Sequence, residues 1–217
     1  MSGVDALLRS AWVASLATLV VVLLGVPVAR WLARRRDGWG DLASTLVMLP
    51  MVLPPTVVGY GLLLLVGRSS GAGRAWEALV GQPLVFSPSA AVLAAIVAAF
   101  PFLVRTAQAG FEQVDARLED AARTLGATEL AVFVRVSVPL AARSLVGGTA
   151  LAFARAMGEF GATVMLAGNI PGRTQTASVA VYDAVAAGRS SDAASLALAL
   201  AVLSGAVLFA VTRVGVR

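Results

Sequence analysis

Residues 119–139 read EDAARTLGATELAVFVRVSVP, a polar, charge-rich stretch set between two apolar runs. Around it the chain reads as hydrocarbon: 59% of its 217 residues are hydrophobic and 13% are charged. The mean hydropathy is +0.86. A soluble domain is about 45–50% apolar, so the excess points to lipid as the solvent. A segment that must stay in water has therefore been placed centrally in a membrane protein.

The residue types that are missing exclude most catalytic classes. The chain has no His, no Cys and no Lys; all 17 basic residues are Arg. Without His and Cys it cannot build a Cys/His zinc site, a Ser-His-Asp triad or a disulfide. Without Lys it cannot carry a Walker A loop, so nucleotide energy must come from another polypeptide. The net charge of +5, with few aromatics and long apolar runs, reads as membrane topology and not as nucleic-acid binding. Met1 to Arg9 leads directly into an apolar run long enough to span, so no cleavable signal is expected.

A single transmembrane domain over residues 1–217 is expected, with spans near 12–32, 42–66, 90–104, 144–167 and 193–212. Pro27 lies inside the first and Pro101 near the exit of the third. The second contains Pro50, Pro54, Pro55, Gly59 and Gly61. Broken backbone survives in a bilayer only when packed in protein or lining a water-filled path, so this span is either a kinked packing helix or a pore-lining one. Arg74 to Val80 can form a short interfacial turn of helix, and Gly168 to Asp192 reads as a loop. If the central stretch is cytoplasmic, that side holds Arg30, Arg34, Arg35, Arg36, Arg105, Arg117, Arg123, Arg135, Arg143, Arg213 and Arg217. The other side holds only Arg9, Arg68, Arg74, Arg173 and Arg189. The positive-inside rule then puts the N-terminus outside and the C-terminus in the cytoplasm.

Within the central stretch, Phe111, Val114, Leu118, Ala121/Ala122 and Leu125 share one helical face, with Glu112, Asp115, Glu119 and Arg123 on the other. Gly126 supplies a helix stop and Thr128 caps a second short helix, which Pro139 ends. The result is an elbow over about 111–139, with small residues at its bend. From the residues alone, an amphipathic helix resting on the bilayer is the commoner fate of such a segment. However, Asp120-Ala121-Ala122, three residues, Gly126, nine residues and Val136-Ser137-Val138-Pro139 resembles the cytoplasmic "EAA" signature of ABC-importer permeases. Asp120 stands where that family usually has Glu, and Val136 and Val138 where Ile and Leu are usual. The resemblance implies an all-α integral membrane protein with the type I importer permease fold, about five transmembrane helices and a cytoplasmic coupling helix. It implies that Asp120, Ala121, Ala122, Leu125, Gly126, Ala127 and Pro139 meet an ATPase subunit.

Arg155 and Glu159 are four residues apart in the fourth span. Arg155 lies roughly 16 Å in at the helical rise, near mid-bilayer. Each charge costs ~2.5–3.5 kcal/mol there on insertion scales, so neither should face lipid. They either pair with each other inside the bundle or border an anion path. Ala154, Gly158 and Ala162 form a small-residue ridge on the same expected helix. Pro171-Gly172 suits the centre of a type II turn.

Leu53-Pro54-Pro55-Thr56-Val57-Val58-Gly59-Tyr60, Arg155 to Thr163 and Ala167 to Thr176 further resemble molybdate/tungstate permeases, with sulfate/thiosulfate permeases the nearest alternative. This resemblance implies a multi-pass subunit of the cytoplasmic (inner) membrane, paired with a second permease copy. Two ATP-binding cassette subunits and an extracytoplasmic oxyanion-binding protein complete the assembly. No cofactor is expected on this chain, ATP being bound by the partner. Pro54, Pro55, Thr56, Arg155 and Glu159 are the expected pore or helix-network residues, and Asn169, Arg173 and Thr174 the expected docking residues for the binding protein. An intramembrane enzyme has only Glu159 as an acidic residue within a span. A non-transport scaffold remains as a further alternative class.

Overall fold

The structure, a computed structural model, describes residues 3–215; Arg217, counted above among the cytoplasmic arginines, lies outside them. Every regular element among the described residues is a helix. In chain order these are α1 (Gly3–Arg34), α2 (Gly38–Val52), α3 (Pro55–Val66), α4 (Gly71–Val80), α5 (Pro88–Glu112) and α6 (Ala116–Thr124). They continue as α7 (Glu129–Val132), α8 (Val138–Leu140), α9 (Ala142–Met157), α10 (Gly161–Ala167), α11 (Ala177–Ala186) and α12 (Ser190–Gly215). A π-helical turn, Phe133–Ser137, joins α7 to α8.

α1, α5 and α12 are each long and apolar enough to cross a bilayer as single helices. Pro101 is buried in the interior of α5, which runs well past the expected end of the third span. The second expected span is not one helix. Between α2 and α3 the chain bends by 115°. A residue before proline is driven into extended backbone, and the double proline does this twice: Leu53 sits at φ −73, ψ 147 and Pro54 at φ −54, ψ 134. Pro55 then starts α3 where a missing N–H costs nothing.

The fourth expected span is also broken. α9 stops at Met157, and α10 begins at Gly161 after a three-residue interruption. Gly158 therefore lies in the break and forms no continuous ridge with Ala154 and Ala162. A second bend, of 78°, separates residues 129–140 from α9. With the two bent pairs, the described residues hold three to five candidate crossings. The expected loop after α10 contains α11, whose first N–H (Ala177) donates to the buried Ser10 hydroxyl of α1 at 2.8 Å.

α1, α5 and α9 form the centre, and their shared core is built mainly of alanine: Ala14 and Ala17, Ala91, Ala94, Ala95 and Ala99, Ala152 and Ala156. Large apolar side chains such as Leu19, Leu23, Leu64, Leu198 and Phe209 point outward instead. This inverts the soluble pattern, as expected where lipid replaces water and helices associate by close approach of small residues. α10 packs against both α5 and α3.

The α3–α10 contact depends on glycine. A Cβ at Gly59 would sit 2.8 Å from both Ala162 Cα and Met165 Cβ, whereas Gly61 on the same helix has no neighbour within 4 Å. Gly59→Leu should therefore lower stability by about 1–3 kcal/mol through overpacking. Gly61→Ala should be neutral or raise stability by up to about 1 kcal/mol. Thermal unfolding of the two variants in detergent checks the contrast.

Candidate functional site

Two helical segments joined at a bend make the elbow, and the apolar face read across residues 111–125 is split between them. α5 ends at Glu112, and Asp115 caps a separate helix α6 by accepting the Arg117 N–H at 2.9 Å. Phe111 and Val114 are buried against Ala29, Leu32 and Ala33 of α1 and Ala141. Beyond the break, Leu118 is exposed, Leu125 is 89% exposed and Leu130 is 71% exposed. Glu119, on the opposite face of α6, is only 2% exposed. The reading of one continuous helix from Phe111 to Leu125 fails because the interruption at residues 113–115 resets the helical phase.

Gly126 makes the bend at φ +84, a conformation that other residues reach only with strain. Its N–H donates to Arg123 O at 2.9 Å and that of Ala127 to Ala122 O at 3.0 Å, closing α6. Thr128 Oγ1 then accepts the Ala131 N–H and starts α7. Arg123 braces the bend, donating to Glu129 Oε1 at 2.6 Å and to Asp120 Oδ1 at 2.7 Å. These bonds hold the Glu129 carboxyl below its usual range and raise the Arg123 guanidinium. Ala121 is exposed, while Ala122 and Ala127 are half-buried at the bend. Pro139 does not end the second helix. It lies within α8, and the π-helical turn before it passes the Val138 N–H to Phe133 O, so the backbone is rerouted ahead of a residue that cannot donate.

Glu119 is the buried charge that periodicity missed. Its Oε2 meets Arg30 Nη2 at 2.8 Å and its Oε1 meets Arg34 Nη2 at 2.9 Å. Ser137, in the π-helical turn, donates its hydroxyl to Oε1 at 2.7 Å. Arg34 also donates to Val114 O at 3.3 Å. Burial pushes the Glu119 carboxyl up, but the Ser137 hydrogen bond and the two α1 guanidiniums outweigh it and hold the group below the usual range. Arg30 and Arg34 were legible only as topology signals, yet their i, i+4 spacing already put two cations on one face of α1.

The five expected pore or network residues lie at the two helix breaks, which meet through Gly161. Arg155 Nη2 lies 2.6 Å from Glu159 Oε2, with side-chain exposures of 28% and 2%. Glu159 lies in the break after α9, and its Oε1 accepts the Ala162 N–H at 2.8 Å, capping α10. A Cβ at the neighbouring Gly161 would sit 2.8 Å from Pro55 Cβ and 3.3 Å from Thr56 N. The α9–α10 break and the α2–α3 break are thus seated against each other. Pro54, Pro55, Thr56 and Gly158 keep an exposed side.

At the other end of α1, the loop at 169–176 makes the expected turn: Gly172 has φ +80 and Arg173 N donates to Ile170 O at 3.0 Å. Arg9 holds it by donating to Gly172 O at 2.8 Å and Arg173 O at 2.7 Å. Asn169 and Arg173 are exposed. Thr174 is fully buried, and its Oγ1 accepts the Ile170 N–H at 3.1 Å. That hydroxyl shapes the loop and is not presented to a partner.

Residues 10–214 match the family described as "Binding-protein-dependent transport system inner membrane component", and the chain belongs to that family. Among its relatives, the molybdenum transport system permease protein ModB of Escherichia coli (strain K12) is 43% identical, covering 92% of this chain and 89% of the relative. ModB of Azotobacter vinelandii is 38% identical over 91% of this chain and 87% of the relative. Among solved structures, an inward-facing MetNI methionine ABC transporter superposes with a TM-score of 0.74 at 19% identity, covering 98% of this chain and 94% of that one. The bacterial alginate ABC transporter in complex with alginate pentasaccharide-bound periplasmic protein gives 0.73 at 14% identity, covering 96% and 76%. At these identities the likeness is one of fold, and the fold is that of an ABC-importer permease. The family makes this chain a pore-forming inner-membrane component and not an enzyme.

Two outcomes follow from this geometry. Glu159→Gln strands a partly buried Arg155 and should cost toward the lower end of about 3–5 kcal/mol. Arg155→Gln/Glu159→Gln should recover part of that loss, read by thermal unfolding in detergent. Because the Glu119 carboxyl is depressed in the folded protein, its contribution is present above about pH 4.3 and is lost as pH falls through the lower folded value. The wild-type chain should therefore lose more melting temperature than Glu119→Gln between about pH 5 and about pH 3.

Proposed function

We propose that this chain is the membrane-spanning subunit of an ATP-driven importer of molybdate, with tungstate as the chemically equivalent cargo. The observation that carries this reading is the 43% identity to a molybdenum transport permease across 92% of the chain. The relatives reported above are named for molybdenum transport, so the sulfate alternative is not favoured.

In this reading two copies of the chain form one pore, two ATPase subunits dock on the cytoplasmic side, and an extracytoplasmic protein delivers the oxyanion. The exposed side chains of Leu118, Ala121, Leu125 and Leu130 support a docking role for the elbow. They form an apolar ridge on a segment otherwise held by ion pairs, and exposed apolar patches of this kind mark interaction sites. Asp120, Ala122, Gly126 and Ala127 lie at the same bend, and Pro139 follows in α8. ATP is bound and hydrolysed on the partner. Arg9 shares one end of the molecule with the 169–176 loop, and Arg30 and Arg34 share the other with the elbow. That grouping supports an N-terminus outside and a C-terminus in the cytoplasm. Asn169 and Arg173 are then the groups offered to the delivery protein.

The seated pair of breaks is the place for the anion path. Two short helices start side by side there, with Arg155 partly exposed nearby. Discontinuous helices at mid-membrane are a recurring device for meeting charged cargo. The Glu159 carboxylate keeps Arg155 partly neutralised, consistent with a group that lets an anion pass without trapping it.

Uptake of labelled molybdate by vesicles holding the whole assembly tests the cargo. Excess tungstate should compete and excess sulfate should not; suppression by sulfate alone would overturn the assignment. In the same assay Gly126→Val, which forces a branched side chain to a positive φ at a cost of at least about 1–2 kcal/mol, should abolish uptake while the chain still inserts.

A further inference from the structure

We propose that the Glu119 cluster is a transmission joint that makes the elbow and the cytoplasmic end of α1 move as one body. This rests on the reading of the elbow as the ATPase-docking element and specifies where its displacement goes. By chain connectivity the elbow is attached only to α5 and, through α8, to α9. α1 is joined to it only through the whole of α2 to α5: Arg30 and Glu119 are 89 residues apart in sequence.

Apolar packing of Phe111 and Val114 on Ala29, Leu32 and Ala33 holds the start of the elbow against α1; beyond the break at 113–115 the charged link is made by one carboxylate. Glu119 takes Arg30 and Arg34 from α1 at 2.8 and 2.9 Å, and Ser137 from the π-helical turn at 2.7 Å. It therefore ties α1, α6 and the second half of the elbow at a single point that is 2% exposed. Charge-assisted bonds to a shielded carboxylate are short and directional, and separating them strands charge away from water.

The joint has a route onward to the pore cluster. After Arg34 only three residues precede α2, and they are braced: Arg35 Nη1 meets Asp37 Oδ2 at 2.7 Å, and Asp37 Oδ1 accepts the Gly40 N–H at 3.0 Å. α2 ends at the Leu53–Pro54 bend that seats Pro55 against Gly161. A displacement of the elbow thus reaches the break cluster from two sides, through α9 directly and through α1 and α2. Glu119 is a positioning residue in this scheme: it touches neither cargo nor nucleotide.

The test uses the complete assembly of permease, ATPase subunits and binding protein in vesicles, and reads ATP hydrolysed per molybdate imported. Glu119→Gln keeps the shape of the side chain but removes its charge. It should leave ATPase subunits co-purifying with the permease while the ratio rises roughly 5-fold or more. Arg34→Gln, which removes one partner and leaves Arg30 in place, should raise the ratio less and serves if Glu119→Gln fails to insert. A cluster that only stabilises the fold would lower the amount of assembled transporter and leave the ratio at the wild-type value; that result, in either variant, overturns the proposal. Failure of the wild-type chain to co-purify with ATPase subunits would instead overturn the docking reading on which it rests.

Discussion

A lipid bilayer offers no hydrogen-bond partners, and this decides where the chain can afford to be irregular. Two of its apolar runs are interrupted, one by Pro54-Pro55 and one at residues 158–160. Each interruption leaves backbone groups without helical partners, which cost several kcal/mol apiece in hydrocarbon. The structure meets this by placing the interruptions against each other. Glu159 takes the Ala162 N–H, Ser178 of α11 donates to Met157 O, and glycine at positions 59 and 161 lets the two backbones close to contact. The core built around them is made of alanine because helices in lipid gain from approach and not from leaving water.

The same logic separates the two ends of α1. At one end Arg9 grips the carbonyls of a type II turn; at the other, Arg30 and Arg34 grip a carboxylate. Arginine serves both because a planar, permanently charged fork binds carbonyl and carboxylate oxygens in fixed geometry. The use of Arg to the exclusion of Lys, which at first reads only as positive-inside bias, is thus also a set of structural clamps. The elbow is held by such clamps on its inner side, which leaves its apolar side chains free to face outward.

Much of the fold was legible because its causes are local. Composition named the solvent, Gly126 marked the bend and Thr128 the cap, and the motif spacing around them carried the resemblance to the family. The Arg155–Glu159 pair followed from helical spacing and the cost of lone charge in lipid. The errors were errors of phase. A helix read as running from Phe111 to Leu125 is broken at residues 113–115, so the apolar positions beyond the break do not continue the buried face of Phe111 and Val114, and the burial of Glu119 has no signal in the periodicity. Thr174, read as a docking hydroxyl, is spent on the Ile170 N–H inside its own loop. Pro139, read as a terminator, is accommodated by a π-helical turn.

By itself, then, the sequence determined an all-α membrane permease, its polar elbow, its glycine hinge and its dearth of catalytic groups, because those depend on residue type and short spacing. Only the tertiary structure decided which charges are joined. Arg30, Arg34 and Ser137 come to Glu119 from segments distant in the chain, and Pro55 comes to Gly161 from another broken run. No periodicity encodes such meetings. They arise when buried charge and unpaired backbone, each too costly to leave alone, find partners as the helices close, and it is at one of them that the polar stretch at 119–139 is fastened to the rest of the molecule.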